Sequence, residues 1–260
     1  MEWETGAATH PGRVRDLNED ALLVHPSLLL VADGMGGHAA GSRASALAVE
    51  GFRRLAESDD VSVGSVRRTV EEVNDALLAE GAREPAYRGM GTTVTGVAPV
   101  SIGAAAHWLV FNVGDSRVYR LGPEGLSQLT TDHSEVAELV AAGAITVEQA
   151  RTYPLRQVIT RCLGSDPGPA PDIWVVPAGP GETLMLCSDG LCEEIDDARI
   201  EQLLASAATC EEAAAVLIRA AVEAGGRDNI TVIVGAAPTD VDAEHEIPTV
   251  PRSALSWDVP

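Results

Sequence analysis

The chain has 260 residues, with 18 basic against 39 acidic side chains and a formal net charge of -21. That length suits one large domain or two small ones, and the charge sets the chain against nucleic-acid phosphates and anionic membrane surfaces. Every basic residue is Arg and none is Lys, which removes P-loop nucleotide hydrolysis, protein kinase chemistry and Schiff-base catalysis, each of which needs a lysine amine.

The opening Met1-Glu2-Trp3-Glu4 lacks the basic start and apolar run of a signal peptide, and no stretch reaches the ~20 apolar residues of a membrane span. A soluble, cytoplasmic monomer is expected. Residues 21–25 and 27–32 read as two short strands about Pro26. The second is a continuous apolar run, Leu28-Leu29-Leu30-Val31-Ala32, so both of its faces should be buried. After the glycine-rich Gly34-Met35-Gly36-Gly37-His38, apolar residues at three-and-four spacing predict helices over 39–56 and 63–82. The period then shortens to two. Strands are expected over 92–97, 104–113, 117–121 and 125–129, and such short connections make neighbours antiparallel. Residues 134–160 read as helical and irregular, 173–176 and 183–187 as strands, 198–207 and 210–224 as helices, and 230–235 as a last strand. Paired helices and runs of strands make the class α+β. The domain is placed at residues 1–236, and the Pro-containing acidic stretch 237–260 reads as a disordered tail. Cys162, Cys187, Cys192 and Cys210 form no C-x-x-C pair and read as buried apolar residues of a reduced protein.

Several aspartates stand where apolar runs end against glycine: Asp33-Gly34, Gly114-Asp115, Asp189-Gly190, and Asp228 just past Gly225-Gly226. One such residue is usually only a turn former. Brought together, the four would make a pocket that cannot stay ionised without cations. Oxygen ligands without clustered His or Cys select Mg²⁺ or Mn²⁺ over zinc.

The motifs then resemble, in family order, the metal-dependent serine/threonine protein phosphatases of the PPM (PP2C) family in their compact bacterial form. Residues 12–20 (GRVRDLNED) are similar to the family's opening, and Asp33 to His38 to its DGMGGH. Gly91-Thr92-Thr93, Gly114-Asp115-Ser116-Arg117 and the flap entry from Leu129 to Ser134 follow. Ser188-Asp189-Gly190-Leu191 and Asp228-Asn229-Ile230-Thr231 complete the set, which spans residues 12–231.

The resemblance implies a four-layer α-β-β-α sandwich, two central antiparallel sheets flanked by helix pairs, with metals at one end between the sheets. It implies that Asp33 bridges two Mn²⁺ or Mg²⁺ ions, that Gly34 lends a carbonyl to one, and that Asp189 and Asp228 complete the second. Asp115 would hold a third, weaker ion, although an aspartate there can equally structure the turn. Glu19 and Asp20 resemble the acidic pair that holds the ions' waters. Arg15 is similar to the phosphate-binding arginine. His38 is the candidate general acid, although a histidine at a helix start can equally cap it. His133 reads as structural within the flap. The partners implied are phosphorylated proteins, with an opposing bacterial serine/threonine kinase. The same residues would serve a general phosphatase or one dedicated to a single regulatory partner. Substrate choice is placed in the flap, about residues 134–155.

Overall fold

The computed structural model describes residues 3–37, 39–58 and 60–237. His38 and the expected tail beyond Ala237 lie outside them. Strand β1 (Glu4–His10) leads by a loop to the hairpin of β2 (Asp20–His25) and β3 (Leu28–Met35), and helices α1 (Ala39–Ala56) and α2 (Val63–Arg83) follow. Then come β4 (Gly91–Thr92), β5 (Val94–Ile102), β6 (Ala105–Val113), β7 (Arg117–Gly122) and β8 (Gly125–Gln128). The flap carries α3 (Glu135–Ala141) and α4 (Val147–Ala150). The chain returns through β9 (Asp172–Pro177), β10 (Thr183–Cys187), the single turn α5 (Asp189–Cys192), α6 (Asp197–Ser206), α7 (Cys210–Ala224) and β11 (Ile230–Ala236).

Two antiparallel sheets result, one in the order β1-β11-β10-β7-β8 and the other β2-β3-β5-β6-β9, with β4 beside β3. They stack face to face with helices outside, as the resemblance implied. The apolar run of β3 shows why. Leu28, Leu30 and Ala32 pack with Ala44, Phe52 and Val70 of α1 and α2. Leu29 and Val31, on the opposite face of the pleat, pack with Leu184, Leu186 and Ile233 of the other sheet. A third apolar layer joins Met185 and Val232 to Leu204, Leu217 and Ala221 of α6 and α7. At the far end from the aspartates, Trp3 stacks on Trp108 with ring centroids 5.1 Å apart, and the Trp108 indole N–H reaches Glu182.

The expected strand 92–97 is split into β4 and the longer β5, the turn α5 was not expected, and two further differences have a plain cause. β1 was not expected, because Gly6, Ala7 and Ala8 carry little strand preference. It forms by pairing with β11 along its whole length, from Glu4 opposite Ala236 to His10 opposite Ile230. Gly6 lies against the backbone of Cys210 at the start of α7, where any Cβ would collide. β3 also continues past the expected end at Asp33 to Met35, because Gly34 and Met35 pair with Thr92 and Gly91. Ala237 is buried, and its N–H donates to the Glu182 carbonyl. No helix among the described residues is long and apolar enough to cross a membrane.

Candidate active site

Asp33 sits near the end of β3 with its backbone held on three sides. Its N–H donates to Thr93 Oγ1, and its carbonyl accepts from the Thr93 N–H and the Thr92 hydroxyl. Directly opposite, in register, is Asp20 at the start of β2. Asp20 Oδ2 accepts from Ser188 Oγ at 2.8 Å and Thr231 Oγ1 at 2.7 Å. Those two hydroxyls belong to the other sheet, so Asp20 ties the sheets together where Asp33 and Asp189 approach. Asp189 starts α5, anchored by Ser188, whose N–H donates to the Thr231 carbonyl.

Asn229 organises the third contributor, the loop between β1 and β2. Its Nδ2 donates to the Pro11 and Leu17 carbonyls, and its Oδ1 accepts from the Glu19 N–H at 2.8 Å. This places Glu19 and Arg15 beside Asp228. Arg15 Nη2 donates to Asp228 Oδ2 at 2.6 Å while about half of the arginine side chain, 54 %, stays exposed. Gly34 backs the site from beneath: a Cβ there would collide with the carbonyls of Gly41 and Glu19, so only glycine lets α1 dock this closely on β3.

The electrostatics are those of a crowded acidic pocket. Removal from water, then Asp20, Asp189, Asp115 and Asp228, hold the Asp33 carboxyl well above the usual range. Asp189 is raised in the same way, by burial and then Asp115, Glu193 and Asp228. Burial pushes Asp115 up to about 7, with Asp132 adding to it. Asp20 stands at about 6, its burial outweighing the Thr231 and Ser188 hydrogen bonds. Glu19 Oε1, Asp20 Oδ1 and Asp115 Oδ1 are buried without a hydrogen-bond partner among the described residues. Buried carboxylate oxygens normally find a donor. Here the partner that would suit them is a hard cation, which they would ligate, or its waters, which would donate to them. No three His, Cys, Asp or Glu side chains among the described residues close on one point as a finished ligand set. Ions in such a pocket would therefore be held partly by water and backbone.

The expected residues Arg15, Glu19, Asp20, Asp33, Gly34, Asp115, Asp189 and Asp228 thus gather at one end of the two sheets, while His38 lies outside the described residues. His133 Nδ1 accepts from the Gly114 N–H, so Nε2 carries the proton and faces Asp172 Oδ2 at 3.2 Å. Burial lowers its pKa and keeps it neutral, a structural histidine that fixes the turn bearing Asp115. Ser188, Thr231 and Asn229, the residues that set the positions of the carboxylates, stand within the quoted motifs but carried no assigned role. Another is Arg117, which donates to both oxygens of Asp132 and to the Tyr119 hydroxyl. A cleft of about 650 Å³ opens beside Asp115 and Asp189, with Arg151 and Arg156 on the flap side and Glu193 and Asp197 opposite.

Known proteins resemble this chain over most of its length. A profile of the family described as Protein phosphatase 2C matches residues 13–224. The serine/threonine phosphatase stp of Listeria monocytogenes is 38% identical over 238 residues, covering 87% of this chain and 92% of the relative. The crystal structure of the Mycobacterium tuberculosis serine/threonine phosphatase PstP/Ppp superposes with a TM-score of 0.85 at 35% identity, over 92% of this chain and 100% of that one. The catalytic domain of PstP in complex with two manganese ions gives a TM-score of 0.81 at 34% identity, over 90% of this chain and 97% of that one.

Proposed function

This chain belongs to the protein phosphatase 2C family of serine/threonine phosphatases, and we propose that it hydrolyses phosphoserine and phosphothreonine on proteins at the carboxylate cluster between its sheets. One observation carries this: unpartnered, buried carboxylate oxygens on Asp20 and Asp115 stand by Asp33 and Asp189, whose own carboxyls resist ionisation, and a third such oxygen, on Glu19, stands by Asp20. Two divalent cations, Mn²⁺ or Mg²⁺, would supply the Lewis acidity that makes water a nucleophile near neutral pH and offsets charge on the phosphoryl oxygens. Asp33 would bridge them, with the Gly34 carbonyl on one side and Asp189 and Asp228 on the other. Asp115 together with Asp189 would take a third, weaker ion. Glu19 and Asp20 would orient the surrounding waters.

The protein's own groups do the rest. Arg15, tethered to Asp228 by one nitrogen at the rim, can turn its remaining donors to two phosphoryl oxygens. His38 is proposed to protonate the departing serine or threonine oxygen. The cleft beside Asp115 and Asp189 would receive the polypeptide flanking the phosphoresidue, and the opposing partner would be a serine/threonine kinase. The test is hydrolysis of a phosphothreonine peptide by the purified protein. Turnover with Mn²⁺, its loss with chelator and its loss in Asp33→Asn are expected. Equal rates with chelator present would refute the assignment.

A further inference from the structure

The geometry points to an oxidative modification site: Cys192 and Cys187 are placed to form a reversible disulfide under hydrogen peroxide, one that displaces α5 and Asp189 with it. The sulfur pair itself is independent of the phosphatase assignment; only its consequence for turnover rests on that reading. Cys187 ends β10 and is fully buried, and Cys192 ends α5, three residues past Asp189. Their Sγ atoms are 3.6 Å apart in hydrogen-bond contact. A disulfide needs about 2.05 Å, so the sulfurs must close by roughly 1.5 Å. The two ends do not yield equally. Cys187 lies in the middle of a sheet, opposite Arg117 on one side and Val232 on the other, and Ser188 is bonded to Thr231. Cys192 is on a single helical turn. The turn moves, and Asp189 is its first residue.

Cys192 also lines the 650 Å³ cleft, which gives a small oxidant a route to it. The Tyr119 hydroxyl stands 3.5 Å from its sulfur, and the Arg117 guanidinium contacts that hydroxyl. The Cys187 thiol, the Arg117 charge and the Tyr119 hydroxyl together outweigh burial and Asp132, bringing the Cys192 thiol down to about 7. In the first step the Cys192 thiolate attacks one peroxide oxygen, the O–O bond breaks, and the departing hydroxide takes a proton to become water. The Cys192 sulfenic acid is then attacked by the Cys187 sulfur. The S–O bond breaks, the S–S bond forms, and the Cys187 proton leaves in a second water. Two thiols give up two electrons and one peroxide becomes two waters.

The full chain, treated with hydrogen peroxide and cut after glutamate, yields residues 183–193 as one peptide holding both cysteines. That peptide is expected to lose two hydrogens and to resist alkylation. Phosphothreonine hydrolysis should fall about tenfold or more and return with dithiothreitol. Cys192→Ser should keep its own rate, whatever that is, after peroxide, and Cys187→Ala should yield no disulfide in the same peptide. The proposal is overturned if both thiols of the parent stay alkylatable, if its Cys192 passes to sulfinic acid unpaired, if the disulfide forms with undiminished turnover, or if peroxide slows Cys192→Ser as much as the parent. The peptide map needs no activity, so failure of the phosphatase assignment and failure of the thiol pair are told apart.

Discussion

Asp20 and Asp33 are direct register partners across β2 and β3. Ionised together they would repel out of water, and burial with Asp20 beside it already holds the Asp33 carboxyl above the usual range at a cost to folding. Asp33→Asn is therefore expected to raise the thermal stability of the cation-free protein, on the order of 1 kcal/mol. The same change should lower phosphopeptide hydrolysis by about 10³-fold or more, since the proposed bridging group is gone. Melting curves in chelator, paired with turnover in Mn²⁺, check both signs at once. A variant that is both less stable without cations and fully active would contradict the site.

The raised carboxyls make cation-free stability depend on pH. Asp20 at about 6 and Asp115 at about 7 bind protons in the folded chain that the unfolded chain releases near the ordinary aspartate value. Their contribution is fully present below about pH 4 and is lost as pH rises through 6 and 7. Asp172, Glu80 and Glu194 are held below the usual carboxylate range by histidine or arginine partners, and act in the opposite sense only at more acid pH. In chelator, the protein should be more stable at pH 5 than at pH 7.5 by about 2–4 kcal/mol. Saturating Mn²⁺ should flatten or reverse that slope. A flat chelator profile between these pH values would count against carboxyls that await cations.

Arg15 is expected to matter to substrate and little to folding. Its ion pair with Asp228 is half exposed, and such pairs contribute about 0–1 kcal/mol. Arg15→Ala should leave the melting temperature nearly unchanged and lower kcat/KM about 10²-fold. Arg15→Lys should recover only part of it, because an ammonium lacks the fork that grips two oxygens. Kinetics on a phosphothreonine peptide, with the unphosphorylated peptide as competitor, would show where the loss falls.

Asp132 should be the reverse case. It accepts three hydrogen bonds from Arg117, and the pair is largely buried. Asp132→Ala leaves that guanidinium without its acceptor, at a cost of about 1.5–3 kcal/mol in denaturant unfolding. Removing Asp132 also removes the charge that adds to the raised Asp115 pKa. The stability slope should then steepen at a lower pH.

Much of the architecture was legible in the residues. The five apolar residues of β3 announced a strand buried on both faces, and Leu28 and Leu29 do face different cores. The Asp-Gly steps at the ends of apolar runs announced the carboxylates, because a run that ends at an aspartate must stop at the edge of a core. β1 stayed hidden. Its small residues form a strand only because β11, more than 200 positions later, supplies the partner.

By itself, then, the sequence determined which residues carry charge, where apolar runs stop and which motifs recur in order, since these are properties of neighbours along the chain. Only the tertiary structure decided which carboxylate oxygens lose both water and donors, that Asp20 would tie the two sheets through Ser188 and Thr231, and that Cys187 and Cys192 would meet. Desolvation and hydrogen-bond completion depend on groups brought in from distant segments, and no local pattern of residue types records where those segments will lie.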